Sequence, residues 1–255
     1  RTCRAVQAPN TPAPITATLE ERDIWESARE ARRTAPSIVR LAPMSTHRIE
    51  VCPGAVHLPG YLSLDEQCVL ATRCLAIGTG PAGWYVPTVR GGGKMRVHMV
   101  CLGSHWNART YRYEATRRDY DGLPPAPLPA DLAALASKMA TDAGMCLSPD
   151  VCILNHYGPD GKMGLHQDKD EHPDTLDAGV PIVSVSIGDT AKFILGGLAR
   201  KEPKTMVLLA SGDGFVFGGQ SRLRYHGVAA LLPGTGPPEL ELNGRYNLTF
   251  RQGAV

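Results

Sequence analysis

Residues 245–251 read Arg-Tyr-Asn-Leu-Thr-Phe-Arg, a stretch in which polar and apolar side chains alternate without a break. A period of two predicts a β-strand with one apolar and one polar face. The polar face carries Arg245, Asn247, Thr249 and Arg251. Facing solvent, this row would be ordinary. Facing the inside of a barrel, its two guanidinium groups would need an anion, and a dicarboxylate suits them because arginine binds carboxylates through paired hydrogen bonds.

The same strand pattern extends over the C-terminal part of the chain. Gly, Pro or Asp clusters separate short apolar stretches at 151–157, 181–187, 192–195, 205–210, 214–217, 223–230 and 245–251. Short strands at this spacing predict an antiparallel sandwich or barrel.

Two helices are predicted ahead of these strands. Ser-Leu-Asp-Glu at 63–66 is a capping box, which predicts a helix to about residue 77 with Gly78 as its stop. Apolar residues at spacings of three and four predict a second helix over 130–143, and Gly144 is its expected stop.

Between the two helices, residues 84–120 are expected to form strands around a glycine turn at 91–93. The predicted fold class is therefore α+β, a jelly-roll core buttressed by helices.

One group of residues carries recognisable chemistry. His166 and Asp168 are two positions apart, so on an extended segment their side chains point to the same side. Two ligands leave a cation under-coordinated, and His226 on a later strand can supply the third. Two histidines and a carboxylate on one face of an ion are the ligands of non-haem Fe(II) oxygenases, which leave three positions open. Asn155 and Tyr157 share a face of the preceding strand. Facing inward they could complete an anion pocket, but the residues alone favour a satisfied polar pair in the core.

Composition narrows the class of protein. Of the 255 residues, 43% are hydrophobic and 20% charged, which excludes wholesale disorder, collagen and coiled coil. Apolar runs are too short for a membrane-spanning helix, so we expect a soluble protein without a membrane partner. The seven cysteines show neither C-x-x-C spacing nor a zinc pattern, which predicts reduced thiols in an intracellular compartment.

The net charge of +2 conceals an uneven distribution. Residues 84–120 hold seven basic and two acidic side chains, a segment that a polyanion would prefer. Residues 160–177 hold six acidic and two basic side chains, which suits a cation.

Residues 1–48 differ from the rest of the chain. They begin with a Pro/Thr/Ala stretch and continue through a capping box at 18–21 into an Arg/Glu-rich segment. We expect a partly flexible N-terminal extension with one helix, followed by a single domain over 49–255.

Five segments together carry a resemblance to a known family. They are Asn-His-Tyr at 155–157, Leu-His-Gln-Asp-Lys-Asp-Glu at 165–171, Pro-Ile-Val-Ser-Val-Ser at 181–186, Ser-Arg-Leu-Arg-Tyr-His-Gly at 221–227 and the strand at 245–251. In this order they resemble the AlkB family of Fe(II)/2-oxoglutarate dioxygenases, which act on N-alkylated nucleobases. Residues 83–106 are most similar to the AlkB homologue 1 type of plants and algae.

The resemblance implies a double-stranded β-helix (jelly roll) over about 151–253, preceded by a nucleotide-recognition lid over about 84–120. It implies Fe(II) and 2-oxoglutarate as cofactors and O2 as cosubstrate. His166, Asp168 and His226 would be the catalytic metal ligands.

The resemblance also assigns ligand contacts. Five residues are implied to bind 2-oxoglutarate: Arg245 with Tyr157 and Asn247 at the distal carboxylate, and Arg251 and Asn155 near the end that chelates iron. Five are implied to contact the substrate: Met99, Trp106 and Tyr111 of the lid, Asp170 at the exocyclic group of the base, and Arg200.

The implied activity is oxidative demethylation of 1-methyladenine, 3-methylcytosine or N6-methyladenine in DNA or RNA. It would be coupled to decarboxylation of 2-oxoglutarate to succinate and would release formaldehyde. The base must be single-stranded or flipped out to reach a buried metal. Two alternatives stay open: a 2-oxoglutarate-dependent hydroxylase of a protein or small molecule, and a non-catalytic reader of methylated nucleic acid. We expect a monomer in the cytoplasm, the nucleus or an organelle.

Overall fold

The computed structural model describes residues 47–253. The predicted extension over residues 1–48, with its helix, therefore lies outside the described residues except for its last two positions. The described chain forms, in order, β1 (Ile49–Cys52), β2 (Ala55–Leu58), α1 (Leu64–Gly78), β3 (His98–Leu102), β4 (His105–Asn107), β5 (Arg112–Glu114), α2 (Ala130–Asp142), β6 (Val151–Tyr157), β7 (Met163–His166), α3 (Pro173–Asp177), β8 (Ile182–Gly188), β9 (Thr190–Leu195), β10 (Thr205–Leu209), β11 (Gly214–Phe217), β12 (His226–Leu232) and β13 (Arg245–Arg251).

Two antiparallel sheets build the core of the fold. The larger has seven strands in the order β1-β2-β11-β8-β13-β6-β3, and the smaller has four in the order β10-β9-β12-β7. A separate hairpin pairs β4 with β5. Apart from the consecutive pairs β1–β2 and β9–β10, neighbouring strands in the two sheets are not consecutive in sequence, as in a jelly roll, and the predicted α+β class is confirmed. None of the helices formed by residues 47–253 combines the length and apolar character that crossing a membrane requires.

Apart from its edge strand β1, the larger sheet is mostly buried on both faces, and each face contributes to a different core. One core includes Leu70 of α1, Met139 of α2, and Val185 and Leu248 of the sheet. The other includes side chains from both sheets, such as Phe215 of β11. The space between the sheets is therefore interior, and side chains pointing into it are shielded from solvent.

Strand β13 shows how this layering treats an alternating sequence. Tyr246, Leu248 and Phe250 belong to the core beneath the helices. The four polar side chains of the opposite face are also buried, none more than 9% exposed: Arg245, Asn247, Thr249 and Arg251. The barrel-lining interpretation of this strand is confirmed, and the solvent-facing one is wrong.

Helix α1 begins as the sequence predicted, with a capping box between Ser63 and Glu66. The predicted role of Gly78 as a stop is wrong, because Gly78 is still helical and Thr79 is the C-cap. A Cβ on Gly78 would lie 1.9 Å from the Trp84 indole, so glycine is needed for this close packing. Gly144, by contrast, does follow α2 with a left-handed φ of +79°.

The strand predictions missed two segments and were imprecise in two others. Residues 49–58 form β1 and β2 and residues 163–166 form β7, all of which the periodicity did not reveal. The stretch 223–230 begins as a turn, and its strand starts at His226. Within 84–120 only three short strands form, and one of them, β3, pairs with β6 in the larger sheet.

Candidate metal centre and substrate cavity

Three side chains that can bind a metal converge where β7 and β12 pair. His166, the last residue of β7, lies opposite His226, the first residue of β12, with ring centroids 4.4 Å apart. Asp168 follows β7, with Oδ1 3.5 Å from His166 Nε2 and Oδ2 3.6 Å from His226 Nε2. The ligand atoms of all three lie within 4.8 Å of one another, so a single ion can contact all of them.

A backbone carbonyl orients each histidine ring through its Nδ1 atom. Nδ1 of His166 lies 2.9 Å from the Gly164 carbonyl, and Nδ1 of His226 lies 3.1 Å from the Arg224 carbonyl. Because a carbonyl only accepts, each Nδ1 carries a proton, and in the neutral ring the lone pair available to a metal is therefore on Nε2. Burial, together with the neighbouring His166, lowers the pKa of His226 and favours its neutral form.

Asp168 is fixed by Arg251 from behind. The Arg251 guanidinium donates to Asp168 Oδ2 through Nη2 at 2.6 Å and Nε at 3.2 Å. Burial alone would raise the pKa of Asp168, but the charge of Arg251 and the adjacent histidines hold this pKa well below its usual value. The carboxylate is therefore ionised and oriented, and two imidazole nitrogens with one carboxylate oxygen suit Fe(II).

A buried ion-pair network lies behind Asp168, and the sequence reasoning did not assign it. Glu171 Oε2 accepts from Arg222 Nη2 at 2.9 Å, and Glu171 Oε1 lies 3.2 Å from Arg251 Nε. Arg222 also donates to the Asp168 carbonyl at 2.5 Å. Glu171 and Arg222 were part of the segments that carry the family resemblance, but sequence alone did not show that they pair.

The interior row of β13 and the neighbouring Asn155 of β6 contain polar atoms that lack partners in the described part of the chain. Arg245 Nε and Nη1, Arg251 Nη1 and Asn155 Oδ1 are buried and find no hydrogen-bond partner among residues 47–253. Burial lowers the pKa of Arg245 to about 10 and raises that of Tyr157 to about 12. Unpaired guanidinium donors in a closed interior fit a bound dicarboxylate such as 2-oxoglutarate.

The two remaining residues predicted to bind 2-oxoglutarate, Asn247 and Tyr157, already have partners within the protein. The Asn247 side-chain amide donates to Ser184 Oγ at 2.7 Å and to the Val185 carbonyl at 3.1 Å. The Tyr157 hydroxyl contacts Met163 Sδ at 3.8 Å. Asn247 could still present its oxygen, although that atom accepts from Thr249.

A cavity of about 770 Å³ opens beside the metal-binding side chains. Nine of the thirteen predicted site residues line it: Met99, Trp106, Tyr111, Asn155, His166, Asp168, Asp170, Arg200 and Arg251. The other four described site residues, His226, Tyr157, Arg245 and Asn247, are not part of this lining and lie deeper between the sheets.

Aromatic side chains form one wall of the cavity. Trp106 on β4 and Tyr111 in the following turn have ring centroids 6.1 Å apart, and Tyr111 is 44% exposed. Trp106 Nε1 donates to Asp170 Oδ2 at 2.8 Å. Burial raises the pKa of Asp170, and Trp106 partly opposes that shift. An acceptor carboxylate therefore lies beside a flat apolar wall.

Basic side chains surround the cavity mouth. Arg96, Lys162 and Arg200 line it and are exposed, and Arg200 Nη1 also donates to the Leu165 carbonyl at 2.7 Å. Arg117 is an exception to the expectation that the basic segment 84–120 faces a polyanion. It is only 2% exposed and pairs with Asp121, so it is structural.

A jelly roll that holds two histidines and an aspartate between its sheets defines the class of mononuclear iron oxygenases. The model for the 2OG-Fe(II) oxygenase superfamily matches residues 54–251. Among curated proteins, AlkB of Salmonella typhimurium, an alpha-ketoglutarate-dependent dioxygenase, is 39% identical over 207 residues, covering 80% of this chain and 92% of that protein. The solved structure of OsALKBH1 is 38% identical with a TM-score of 0.76, covering 81% of this chain and 100% of that one.

The chain therefore belongs to the AlkB family of the 2OG-Fe(II) oxygenase superfamily, whose enzymes use Fe(II), 2-oxoglutarate and O2. Plant proteins are also similar. The DNA N(6)-methyladenine demethylase ALKBH1C of Arabidopsis thaliana is 38% identical over 221 residues, covering 78% of this chain and 48% of that protein. The chain spans about half the length of the plant relatives that it matches.

Proposed function

We propose that this chain removes methyl groups from nitrogen atoms of nucleobases in DNA or RNA by oxidation coupled to decarboxylation of 2-oxoglutarate. The observation that carries the proposal is the placement of the His166/Asp168 pair at the base of a cavity whose wall holds Trp106 and Asp170. When bound, iron and 2-oxoglutarate would activate O2 and hydroxylate the methyl group, which would leave as formaldehyde while succinate and CO2 form.

His166, Asp168 and His226 would hold the iron on one face. The carbonyls of residues 164 and 224 fix the two imidazoles, so the ligands are oriented before metal arrives. Arg251 would keep Asp168 ionised and would turn one of its oxygens away from the metal.

The dicarboxylate would lie between the metal and the polar face of β13. Arg245, which has unpaired donors and lies beside Tyr157 and Asn247, would receive the distal carboxylate. Asn155 and Arg251 would lie near the chelating end. This assignment places two negative charges against buried guanidinium groups, which removes the cost of leaving those groups unpaired.

The nucleobase would enter the cavity from a single strand or after flipping out of a duplex. Trp106, Tyr111 and Met99 would supply flat and apolar walls, and stacking of this kind contributes about 1–3 kcal/mol per base. Asp170 would accept a hydrogen bond from the exocyclic amine. Arg200 would contact the backbone phosphate, which positions a strand without reading its sequence.

Two observations bear on which methylated base is the substrate, and they favour different bases. Curated plant relatives are named for N6-methyladenine in DNA, which makes this base the first to test. A carboxylate beside the base, by contrast, favours the cationic adducts 1-methyladenine and 3-methylcytosine.

The same proposal includes a monomer in a reducing compartment of the cell. Every group assigned here comes from one chain, so a second copy is not needed to complete the site. Six cysteines in the described part of the chain are free thiols, including the buried Cys74, Cys101 and Cys152, which supports an intracellular location.

The test is mass spectrometry of DNA and RNA oligonucleotides that carry each of the three methylated bases, incubated with protein, Fe(II), 2-oxoglutarate and ascorbate. The expected result is a loss of one methyl mass that requires 2-oxoglutarate and disappears in His166→Ala, while that variant binds the oligonucleotide within a few fold of wild type. Succinate formation without demethylation of any oligonucleotide would contradict the proposal and favour a protein or small-molecule hydroxylase.

A further inference from the structure

The β4–β5 hairpin forms hydrogen bonds to two adjacent residues of the loop that follows Asp168. Trp106 of β4 and Tyr113 of β5 are a cross-strand pair. Trp106 Nε1 donates to Asp170 at 2.8 Å, and the Tyr113 hydroxyl donates to Glu171 Oε1 at 3.1 Å. Burial raises the pKa of Tyr113 well above its usual value, so its hydroxyl stays protonated and remains a donor.

The two strands of this hairpin are attached to the rest of the fold in different ways. Strand β4 follows β3 after a two-residue turn, its Trp106 backbone N–H donates to Cys101 Sγ at 3.5 Å, and His105 pairs with Asp119 at 2.6 Å. Strand β5 follows the turn that carries Tyr111, pairs with β4, and continues toward the buried Arg117, which donates to the Ala82 and Gly83 carbonyls. Its Glu114 bonds back to Asn107 of β4, whereas its Tyr113 reaches the metal loop.

The residue that receives Tyr113 is itself rigidly held. The Glu171 side chain is 1% exposed, and its other oxygen accepts from Arg222, whose side chain is 2% exposed. Arg222 also donates to the carbonyls of Val180 and Asp168, so one buried arginine joins the acceptor of the lid to the metal loop. A hairpin whose two strands have only three residues each has little stability of its own, so such contacts determine its position.

We propose that Tyr113 is a positioning residue that fixes β5 and the Tyr111 turn against the metal loop through its hydrogen bond to Glu171. The aromatic wall formed by Trp106 and Tyr111 then lies at a set distance from Asp170. Without this bond, β5 and the Tyr111 turn lose their direct contact with the loop after Asp168 and are held mainly by their pairing with β4.

Tyr113→Phe tests the proposal because it removes one hydroxyl and keeps the ring that lines the cavity. Folding should tolerate the change, since Glu171 Oε1 still faces Arg251 Nε at 3.2 Å. In hydrogen exchange without substrate, we expect protection of residues 108–114 to fall about tenfold, the factor that the loss of one hydrogen bond to a charged group gives. Protection of β3 and β6 should not change.

A kinetic measurement, which rests on the proposed function, tests the consequence for substrate. Tyr113→Phe should raise KM for a methylated oligonucleotide about three- to tenfold and should lower kcat by a smaller factor. If neither wild type nor variant demethylates any oligonucleotide, the proposed function fails, and the exchange experiment still decides the role of Tyr113.

The matched control is Tyr120→Phe, which removes a hydroxyl from the same segment at a side chain that is 58% exposed. It should leave both the exchange of residues 108–114 and KM unchanged. Equal loss of protection throughout the domain in Tyr113→Phe would show a general structural role and overturn the proposal. Unchanged protection of residues 108–114 would overturn it as well.

Discussion

The Arg251 side chain fixes the carboxylates of Asp168 and Glu171. Its guanidinium donates to Asp168 and lies against Glu171, while its own Nη1 stays free inside the fold. The guanidinium therefore serves three purposes. It stabilises the ionised form of Asp168, it orients this carboxylate, and it leaves one N–H donor free for a bound dicarboxylate. A planar fork can do this, whereas a single ammonium cannot span the same acceptors.

Arg251→Lys is expected to weaken Mn(II) binding about 10- to 100-fold, the usual cost of removing a residue that orients a metal ligand. Calorimetric titration of the metal-free protein measures this directly. Arg200→Lys, at an exposed residue of the cavity mouth, should bind Mn(II) as wild type does. Equal affinity in Arg251→Lys and wild type would contradict the orienting role.

The sequence predicted that His166, Asp168 and His226 would come together, because their spacing and order are part of the chemistry. It did not predict the pairing of Glu171 with Arg222, since two side chains separated by 51 positions meet only through the fold. For a similar reason, the sequence did not single out Tyr113. Its neighbour Tyr111 was chosen as the lid aromatic, and only the register of β4 with β5 shows that Tyr113 lies opposite Trp106.

At the scale of elements, α1 and the aromatic residues that follow it meet at one glycine. Gly78→Ala would gain helix propensity of about 1 kcal/mol, yet its Cβ would overlap the Trp84 ring. Overpacking of this kind costs about 1–3 kcal/mol, so we expect a net loss of stability in urea unfolding. Gly91→Ala, which has open space around its Cβ, should change stability far less. A stabilised Gly78→Ala variant would show that Trp84 moves aside freely.

Strand β6 has a polar residue on its helix-facing side. The His156 ring packs against Trp84 and Tyr246, and its Nε2 is buried without a partner among residues 47–253. Burial lowers the pKa of His156, so the unfolded chain binds a proton more readily near pH 6 and stability falls as pH decreases through this range. His156→Phe should reduce the loss of unfolding free energy between pH 7 and pH 5. An unchanged pH dependence would contradict this assignment.

Strand prediction succeeded where a strand is buried on both faces or alternates cleanly, as in β8 and β13. It failed for β7, whose sequence Met-Gly-Leu-His has a glycine and partly exposed side chains. The edge strand β1 has only four residues, each exposed or half-buried, so it offers too short an apolar pattern to detect. These segments become strands because the larger sheet and β12 offer them partners.

At the scale of the whole molecule, the site occupies the interior between two sheets. The proposed ligands come from β7, the loop after it and β12, so a bound metal would connect these two paired strands. Metal should therefore stabilise the native state by about 2.7 kcal/mol at a concentration of 100 times Kd. For a domain of this size that corresponds to a rise in Tm of about 5–11 °C.

His226→Ala should abolish the rise in Tm on addition of Mn(II). His172→Ala, an exposed histidine near the same loop, should retain it. A full Tm shift in His226→Ala would mean that the metal binds elsewhere.

The sequence predicted most of the molecular plan, because a jelly roll imposes alternation on its strands and the family segments fall on β6, β7, β8, β12 and β13. The sequence could not show that the polar face of β13 is buried. Alternation in this strand alone is equally consistent with a polar face exposed to solvent. The predictions for residues 1–46 remain predictions.

The central claim is that methyl oxidation on a base is coupled to 2-oxoglutarate at this site. The most direct test measures succinate and formaldehyde together while the protein acts on a methylated oligonucleotide and on its unmethylated twin. The account predicts that the methylated strand yields one formaldehyde and one additional succinate for each methyl group lost. Succinate formation that is the same with both strands, without formaldehyde, would contradict it.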